Sequence, residues 1–490
     1  MAETDQSIFD YFSTGISMPA FEGASQDYRN AQRVAYTADA DLLAVSELQL
    51  LQGRSRHLVR NNPIVSGAES KLVTKLGAVT VKWKRKDGTP HELMQELWDE
   101  FYANPSADGK GNGNVMQATF NHDRFQSGEA LARMVIITKD NPNKIKLKIQ
   151  HIESEYLDIT YRGYDSNSNK IKENTKYGIT FDEYGKPTTY HFLPDNYYGL
   201  GASVTGRFDR IPVAANDILH IFERLRSNQW RGIPVIAPML ATVYSITDLE
   251  FATVSKQQAA AAISWIIEQA DQLSYNAPGS VTTAGTMSPT DTKKRIVFNS
   301  NGGTVQYTQP GEKFHLVENT DIGTNLLGLL KHLQQEIAVA YGMPYYMLSG
   351  DTEKLNFAAI RGILIEFRDK LEYIHHFINL PDGLHKITAK FKAIAKLTYA
   401  VEDAYPNYMF PRNYGVDELK DTQGDILEVQ AGFATSEQKR EERGTTYEQV
   451  MQGTEQDKAL GRMGLVDVTP KGSANLTNNS TVANSNSSSN

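Results

Sequence analysis

The sequence predicts an α+β protein built around a helical hairpin, and three observations carry that expectation. Between positions 239 and 277 there is neither Gly nor Pro, so nothing in the chain breaks a helix there. A helix filling that window would be about 59 Å long. A second window, 324–341, carries Leu326, Leu330, Leu333, Ile337 and Ala340 at i, i+4, i+7, i+11 and i+14, one apolar stripe of a helix. Between the two, 293–298, 304–307 and 313–317 read as short strands joined by Asn301-Gly302-Gly303 and Pro310-Gly311 turns. Two long helices therefore bracket a small β insert, a hairpin whose tip is a separate module.

The 490 residues, 40% hydrophobic and 22% charged, suffice to bury a large core in roughly two to four lobes. No segment approaches ~20 consecutive apolar residues, so no transmembrane helix is expected. Residues 1–10 are acidic and polar without a secretory pattern. The absence of cysteine excludes disulfides, thiolate metal sites and cysteine nucleophiles, and points to assembly in a reducing cytoplasm. The formal net charge is −8, whereas a protein that grips nucleic acid through its phosphates needs a basic surface. Such a chain can touch DNA but is not built to hold it tightly.

In chain order, residues 1–40 are polar, dotted with Tyr and Phe, and read as an arm. From Asp41 a helical pattern runs through Leu43, Val45, Leu48 and Leu51 to Arg54, Arg56 and Arg60, and Asn61-Asn62-Pro63 stops it. A second helix follows through Ile64, Ala68, Leu72 and Leu76. Residues 79–83 alternate as a strand, Lys86-Asp87-Gly88 is a turn, and a helix carrying Leu93, Leu97 and Phe101 runs to Pro105. Residues 106–114, with Gly109-Lys110-Gly111-Asn112-Gly113, form a surface loop; phosphate-loop spacing and a preceding strand are both missing. From 129 to 195 the chain is strand-rich, and 211–213 with 218–221 close this lobe. On the first hairpin helix Leu240, Val243, Ile246 and Leu249 form a slowly drifting stripe, and Ala259, Ala260, Ala261 and Ala262 allow close approach of other backbones. Gly342-Met343-Pro344 ends the second hairpin helix. A loop at 348–356 leads to a helix from Phe357 to about Phe377, then an amphipathic segment at 386–400. Three short helices between 417 and 464 are punctuated by Gly424, Gly432, Gly444, Gly453 and Gly461. Residues 475–490, almost all Asn, Ser and small side chains, read as a disordered tail.

No catalytic constellation emerges. The sequence has no Gly-Lys-Ser/Thr phosphate loop, no His-Glu-x-x-His and no nucleophile-elbow serine. Adjacent His375 and His376 point to different helix faces and are poorly placed to chelate one ion. Asp99-Glu100 and Glu441-Glu442 sit on amphipathic helices and read as solvated faces. No catalytic residue, metal site or cofactor is expected.

An ordered set of motifs is more informative. Gln52 to Asn62 with Pro63 resembles the arginine-rich helix end near the start of tailed-phage portal proteins of the lambda-like family. Gly178-Ile179 through Pro187 resembles that family's strand–turn–strand. His220-Ile221-Phe222 and then Gln229-Trp230-Arg231-Gly232-Ile233-Pro234 resemble its most recognisable signature. Pro310-Gly311-Glu312, Gly342-Met343-Pro344, Leu348-Ser349-Gly350-Asp351 and Asn356-Phe357-Ala358-Ala359-Ile360-Arg361 follow in the family's order. The likeness covers about residues 45–465. The family's aromatic and serine pair after Asn356 is Phe357-Ala358 here, a departure that leaves the hydrogen bonding of that turn open.

The resemblance implies a portal fold assembled as a ring of normally twelve subunits at one capsid vertex, with an α/β wing, a two-helix stem, a small β-rich clip and a helical crown. It divides the chain into an arm (1–40), the first part of the wing (41–235), stem helix 1 (236–268), clip (269–319), stem helix 2 (320–342), tunnel-loop region (343–356), the wing's long helix and remainder (357–415), crown (416–470) and tail (471–490). It makes Asp351, Thr352, Glu353, Lys354, Leu355 and Asn356 the constriction of a DNA channel. Lys293, Lys294, Arg295 and Lys313 become a docking surface on the clip, and Ala259–Ala262 a packing face between stem helices. The implied partners are further copies of the chain, the terminase large subunit, neck, adaptor and tail proteins, the major capsid and scaffold proteins, and double-stranded DNA held weakly and non-specifically. The implied location is the portal vertex of the virion, reached through the host cytoplasm, with no membrane. Two other readings stay open on the residues alone: a different capsid-associated connector or adaptor, and a nucleic-acid-processing enzyme with an acidic metal site.

Overall fold

The computed structural model describes residues 47–139, 141–162, 164–165, 170–171, 174–194, 210–262, 265–269, 312–316, 324–352, 356–411, 418–445, 450, 451, 453 and 455. The arm, most of the expected clip and the tail lie outside them.

The described chain enters as a helical pair, α1 (Leu48–Asn61) and α2 (Pro63–Leu76). Asn62 makes the break: its backbone is extended and its Oδ1 accepts from the amides of Ile64 (3.0 Å) and Val65 (3.1 Å). Pro63, first in the new helix, has no N–H to satisfy. Next come β1 (Thr80–Lys84), α3 (Glu92–Ala103) and α4 (Gly113–Ser127). The inward face of α4 is mixed: Met116, Phe120 and Phe125 join the core, and Gln117, Asn121, Arg124 and Ser127 are buried beside them. Gln117 stands in for a strand neighbour, accepting from the amide of Val79 and donating to its carbonyl, both at 2.9 Å.

Strands β2 (Glu129–Ile136) and β3 (Leu147–Ile152) are followed by a short ribbon, β4 (Tyr164–Asp165) with β5 (Lys170–Ile171). β6 (Thr175–Lys176), β7 (Ile179–Phe181), β8 (Pro187–Phe192) and β9 (Ile211–Ala214) make a four-stranded antiparallel sheet in chain order. β10 (Ile218–Phe222) returns to the other side of β2, giving an antiparallel sheet of order β10-β2-β3. Leu131, Ile179, Phe192, Val213 and Ile218 form a core between the two sheets.

A 3₁₀ turn at Ala237–Met239 opens α5 (Leu240–Ala262). The expected stripe faces inward: Leu240, Val243 and Ile246 are buried. The helix does not run to 268 as expected. It stops at Ala262, and β11 (Trp265–Gln269) pairs antiparallel with β12 (Glu312–Leu316), bringing Glu268 opposite Lys313. A window free of Gly and Pro permits a helix without requiring one. Trp265-Ile266-Ile267 is rich in strand-favouring side chains, and a partner strand is available.

α6 (Thr324–Tyr341) turns Ile337 into the core, with Leu330 and Leu333 packed against it, and Gly342 follows at φ +63°. Part of the expected 348–356 loop is helical, because α7 (Tyr345–Ser349) forms before Gly350. α8 (Phe357–Tyr373), a π-helical stretch (Ile374–Leu384) and α9 (His385–Tyr399) then make one continuous run where the sequence suggests two helices. Pro381 sits inside the π stretch, where wider turns relieve the need for its missing N–H. Phe391 of α9 meets Trp98 of α3 edge-on at 5.0 Å between centroids, with Trp83 and Phe101 alongside. β13 (Tyr405–Met409) pairs antiparallel with β1, Thr80 opposite Met409. Two helices, α10 (Glu418–Gln430) and α11 (Ser436–Glu442), follow.

Candidate functional site

The turn Gln229-Trp230-Arg231-Gly232-Ile233-Pro234 hands the β-rich lobe over to the helical hairpin, and it is anchored by a buried charge cluster. Arg231 is 1% exposed and Glu129, the first residue of β2, is 0% exposed. All five guanidinium N–H donors find acceptors. Nε and Nη2 reach the Glu129 carboxylate (Nη2 to Oε1, 2.6 Å), Nη1 reaches the carbonyls of Leu157 and Tyr177, and Nη2 also reaches that of Ser154, the three carbonyls at 3.3 Å. Glu129 Oε2 also accepts from Gly232 N (2.9 Å) and His220 Nε2 (3.0 Å). With Nε2 donating, His220 Nδ1 is free to accept from the Tyr190 hydroxyl at 3.3 Å. Burial pushes the Glu129 carboxyl up, but Arg231 and His220 outweigh it and hold the group at about 2.

The other letters of the turn have separate tasks. Gln229 accepts from Leu225 N and donates to Arg231 O, both at 2.9 Å, closing the loop on itself. Trp230 packs against Phe181 with the rings tilted by 49° and their centroids 4.8 Å apart, and Arg224 lies over the Trp230 ring. Gly232 has to be glycine, because a Cβ there would lie 2.1 Å from the carbonyl oxygen of Gly128. The arginine-rich end of α1 is a second tie: Arg56 pairs with Glu155 and donates to Ser127 Oγ (2.8 Å), while Gln52 donates to Ser127 O (3.0 Å). Together these contacts fix the turn that leads into the hairpin on the β-rich lobe.

Beyond the second hairpin helix, the expected tunnel loop is described only at its two roots. Asp351 pairs with Lys331 of α6 (2.6 Å), and its amide donates to Ser349 Oγ (3.1 Å). Thr352 is exposed. Asn356 caps α8, its Oδ1 accepting from Ala359 N at 2.8 Å, which answers how this turn is hydrogen-bonded with Phe357-Ala358 in place of the family's pair. Glu353, Lys354 and Leu355 lie outside the described residues, as do Lys293, Lys294 and Arg295. Lys313 is on β12, and Ala259–Ala262 form the last turn of α5.

The hairpin exposes large apolar side chains along both helices: Phe251 and Val254 on α5, and Leu327, Leu329 and Val339 on α6. His375 and His376 diverge as expected. His375 is buried with Nε2 3.1 Å from Leu76 O, and burial lowers it to about 4, whereas His376 is exposed beside Phe410. Sequence reasoning missed Glu129. Its partner stands 102 positions away, and a single Glu at the start of a strand gives no signal. Among the described residues no three His, Asp or Glu side chains are grouped to hold a metal ion, and no helix is long and apolar enough to cross a membrane.

Residues 26–375 match the family described as "Phage portal protein, lambda family". A curated relative, the "Probable portal protein" of Halomonas phage phiHAP-1, is 25% identical over 247 residues, 50% of this chain and 45% of the relative. The chain thus spans less than half the length of that relative. Among solved structures, a chain from the neck of an empty gene transfer agent particle superposes with a TM-score of 0.47 at 15% identity, over 80% of this chain and 93% of that one. An HK97 family phage portal protein from Corynebacterium diphtheriae gives 0.31 at 14% identity, over 68% and 86%.

Proposed function

Because the chain belongs to the lambda family of phage portal proteins, we propose that it assembles into a ring of twelve subunits at one capsid vertex. The ring is the channel through which the genome is packaged, retained and ejected. The observation that carries the ring is the hairpin, whose Phe251, Val254, Leu327, Leu329 and Val339 are exposed on a single chain. Neighbouring copies on either side would cover them in a head-to-tail contact that closes.

In this reading α5 and α6 are the stem and 269–319 is the clip. Lys293, Lys294, Arg295 and Lys313 dock the terminase large subunit and later the neck and tail proteins. The small side chains of Ala259–Ala262 let stem helices of adjacent subunits approach. The loop Asp351–Asn356 narrows the bore, and with Asp351 neutralised by Lys331 it offers passing phosphates only transient contact. The wing and the C-terminal helices meet the capsid and scaffold proteins. The role is structural, with nucleotide chemistry left to the motor.

Negative-stain imaging and solution mass of the purified protein test this. Rings with a central hole and a mass many times 54.7 kDa are expected. A monomer or dimer would overturn the reading.

A further inference from the structure

The C-terminal helices α10 and α11 make a unit whose cohesion and seating both rest on charge. No described side chain from 418 to 442 is buried, and Leu419, Leu427 and Phe433 are exposed. Inside the unit Lys439 meets Asp425 (3.4 Å), Glu428 (2.6 Å) and Glu442 (3.0 Å), and Arg443 meets Asp425 (2.6 Å) and Thr422 (2.9 Å).

Toward the wing, the unit faces α8 and the π stretch across a cavity of about 730 Å3, polar and roomy enough for water. Two ion pairs bridge the gap, Arg361–Asp421 (2.9 Å) and Lys84–Glu437 (2.8 Å). The wing side adds Lys75 and Arg368, neither of which has an ion partner among the described residues, against one lining acid, Glu372. The opposite wall belongs to a segment, 418–443, with seven acidic residues and four basic ones. The two faces are therefore complementary in charge; Leu364, Ile365 and Phe410 line the wing side, but no apolar side chain of the described C-terminal helices lines the gap against them.

We propose that α10 and α11 are a charge-seated module that docks on the basic face of the wing at low ionic strength and lifts from it as a unit when salt screens the gap. Such screening is strong, since the Debye length falls from about 10 Å at 0.1 M to about 3 Å at 1 M. The internal network gives Lys439 three carboxylate partners and Arg443 two acceptors, so the unit stays folded while its seat opens. The inference stands on these contacts and does not depend on ring assembly.

The chain has no cysteine, so spin labels attach only where cysteines are introduced. Exposed Ser70→Cys on α2 and Gln430→Cys on α10 report the gap by pulsed electron-spin distance measurement, with labelled full-length chains diluted into unlabelled ones. One narrow distance is expected at about 0.1 M NaCl and a broadened, longer distribution at about 1 M. Arg361→Glu should broaden it at low salt, and the swap Arg361→Glu with Asp421→Arg should restore the narrow peak. A peak that stays narrow at high salt and in Arg361→Glu would overturn the proposal, as would a distribution already broad at low salt.

Discussion

At the root of the hairpin, Arg231 is enclosed and every donor it carries is matched inside the protein; at the C-terminal helices, Arg361 reaches one carboxylate with its side chain 44% exposed. Both contacts are Arg–carboxylate pairs of similar length, yet they do different work. A buried charge without its partner cannot turn to water, so the Arg231 cluster holds its geometry by the penalty for leaving it. An exposed charge exchanges its partner for solvent at little cost, so the Arg361 pair orients a module without fixing it. Burial, rather than the chemistry of the pair, separates a rigid joint from a releasable one.

The most severe way to break this comparison is Glu129→Ala. Left with Arg231 buried and unpaired, the β-rich lobe should lose roughly 3–5 kcal/mol in urea unfolding followed by circular dichroism. Replacing both partners by apolar residues, Glu129→Leu with Arg231→Met, should cost less than the single change; an equal or greater loss would show that hydrogen-bond geometry and not charge is the issue. The next effect is acid sensitivity. Because the folded Glu129 carboxyl sits at about 2, below the ordinary 4.5, its stabilisation is present above pH about 4.5 and is lost as pH falls toward 2. The loss amounts to roughly 3 kcal/mol. Glu129→Gln should flatten that part of the stability–pH curve, and an unchanged slope would assign acid unfolding to other carboxylates.

Gly232→Ala tests the joint without touching a charge. With the new methyl 2.1 Å from Gly128 O, the turn must open, at a cost of about 1–3 kcal/mol in the same assay. Arg361→Ala should be mildest, no more than about 1 kcal/mol and vanishing in high salt. A loss comparable with that of Glu129→Ala would mean the C-terminal seat is stiffer than its exposure suggests.

The legible parts of the fold are those where apolar spacing or a capping residue does the work. Asn62-Pro63 marks a helix break by its own chemistry, and the stripe on α6 faces the core as its period requires. α4 was hard to read because Met116, Phe120 and Phe125 share its buried face with Gln117, Asn121, Arg124 and Ser127, which dilute the hydrophobic period. The end of α5 at Ala262 was missed because its cause is a strand partner more than forty positions along the chain. Of the site, the turn around Arg231 was recognisable as a pattern, but its chemistry is not in the pattern. Glu129 acquires meaning only when β2 and β10 lie side by side.

The π-helical stretch has a consequence for phase. Leu371 before it and Ile387 after it belong to the same core, yet they are sixteen residues apart. At about 100° per residue an unbroken α-helix would turn them roughly 160° from each other, almost back to back. Wider turns absorb that angular error, so the two halves of the rod are indexed independently: α9 to the aromatic cluster of Trp83, Trp98 and Phe101, α8 to the cavity beneath the C-terminal helices. Removing one residue from the stretch would rotate the Arg361–Arg368 ridge by about 100° relative to α9. The stretch works as a vernier, letting a single rod serve two bearings cut at different angles.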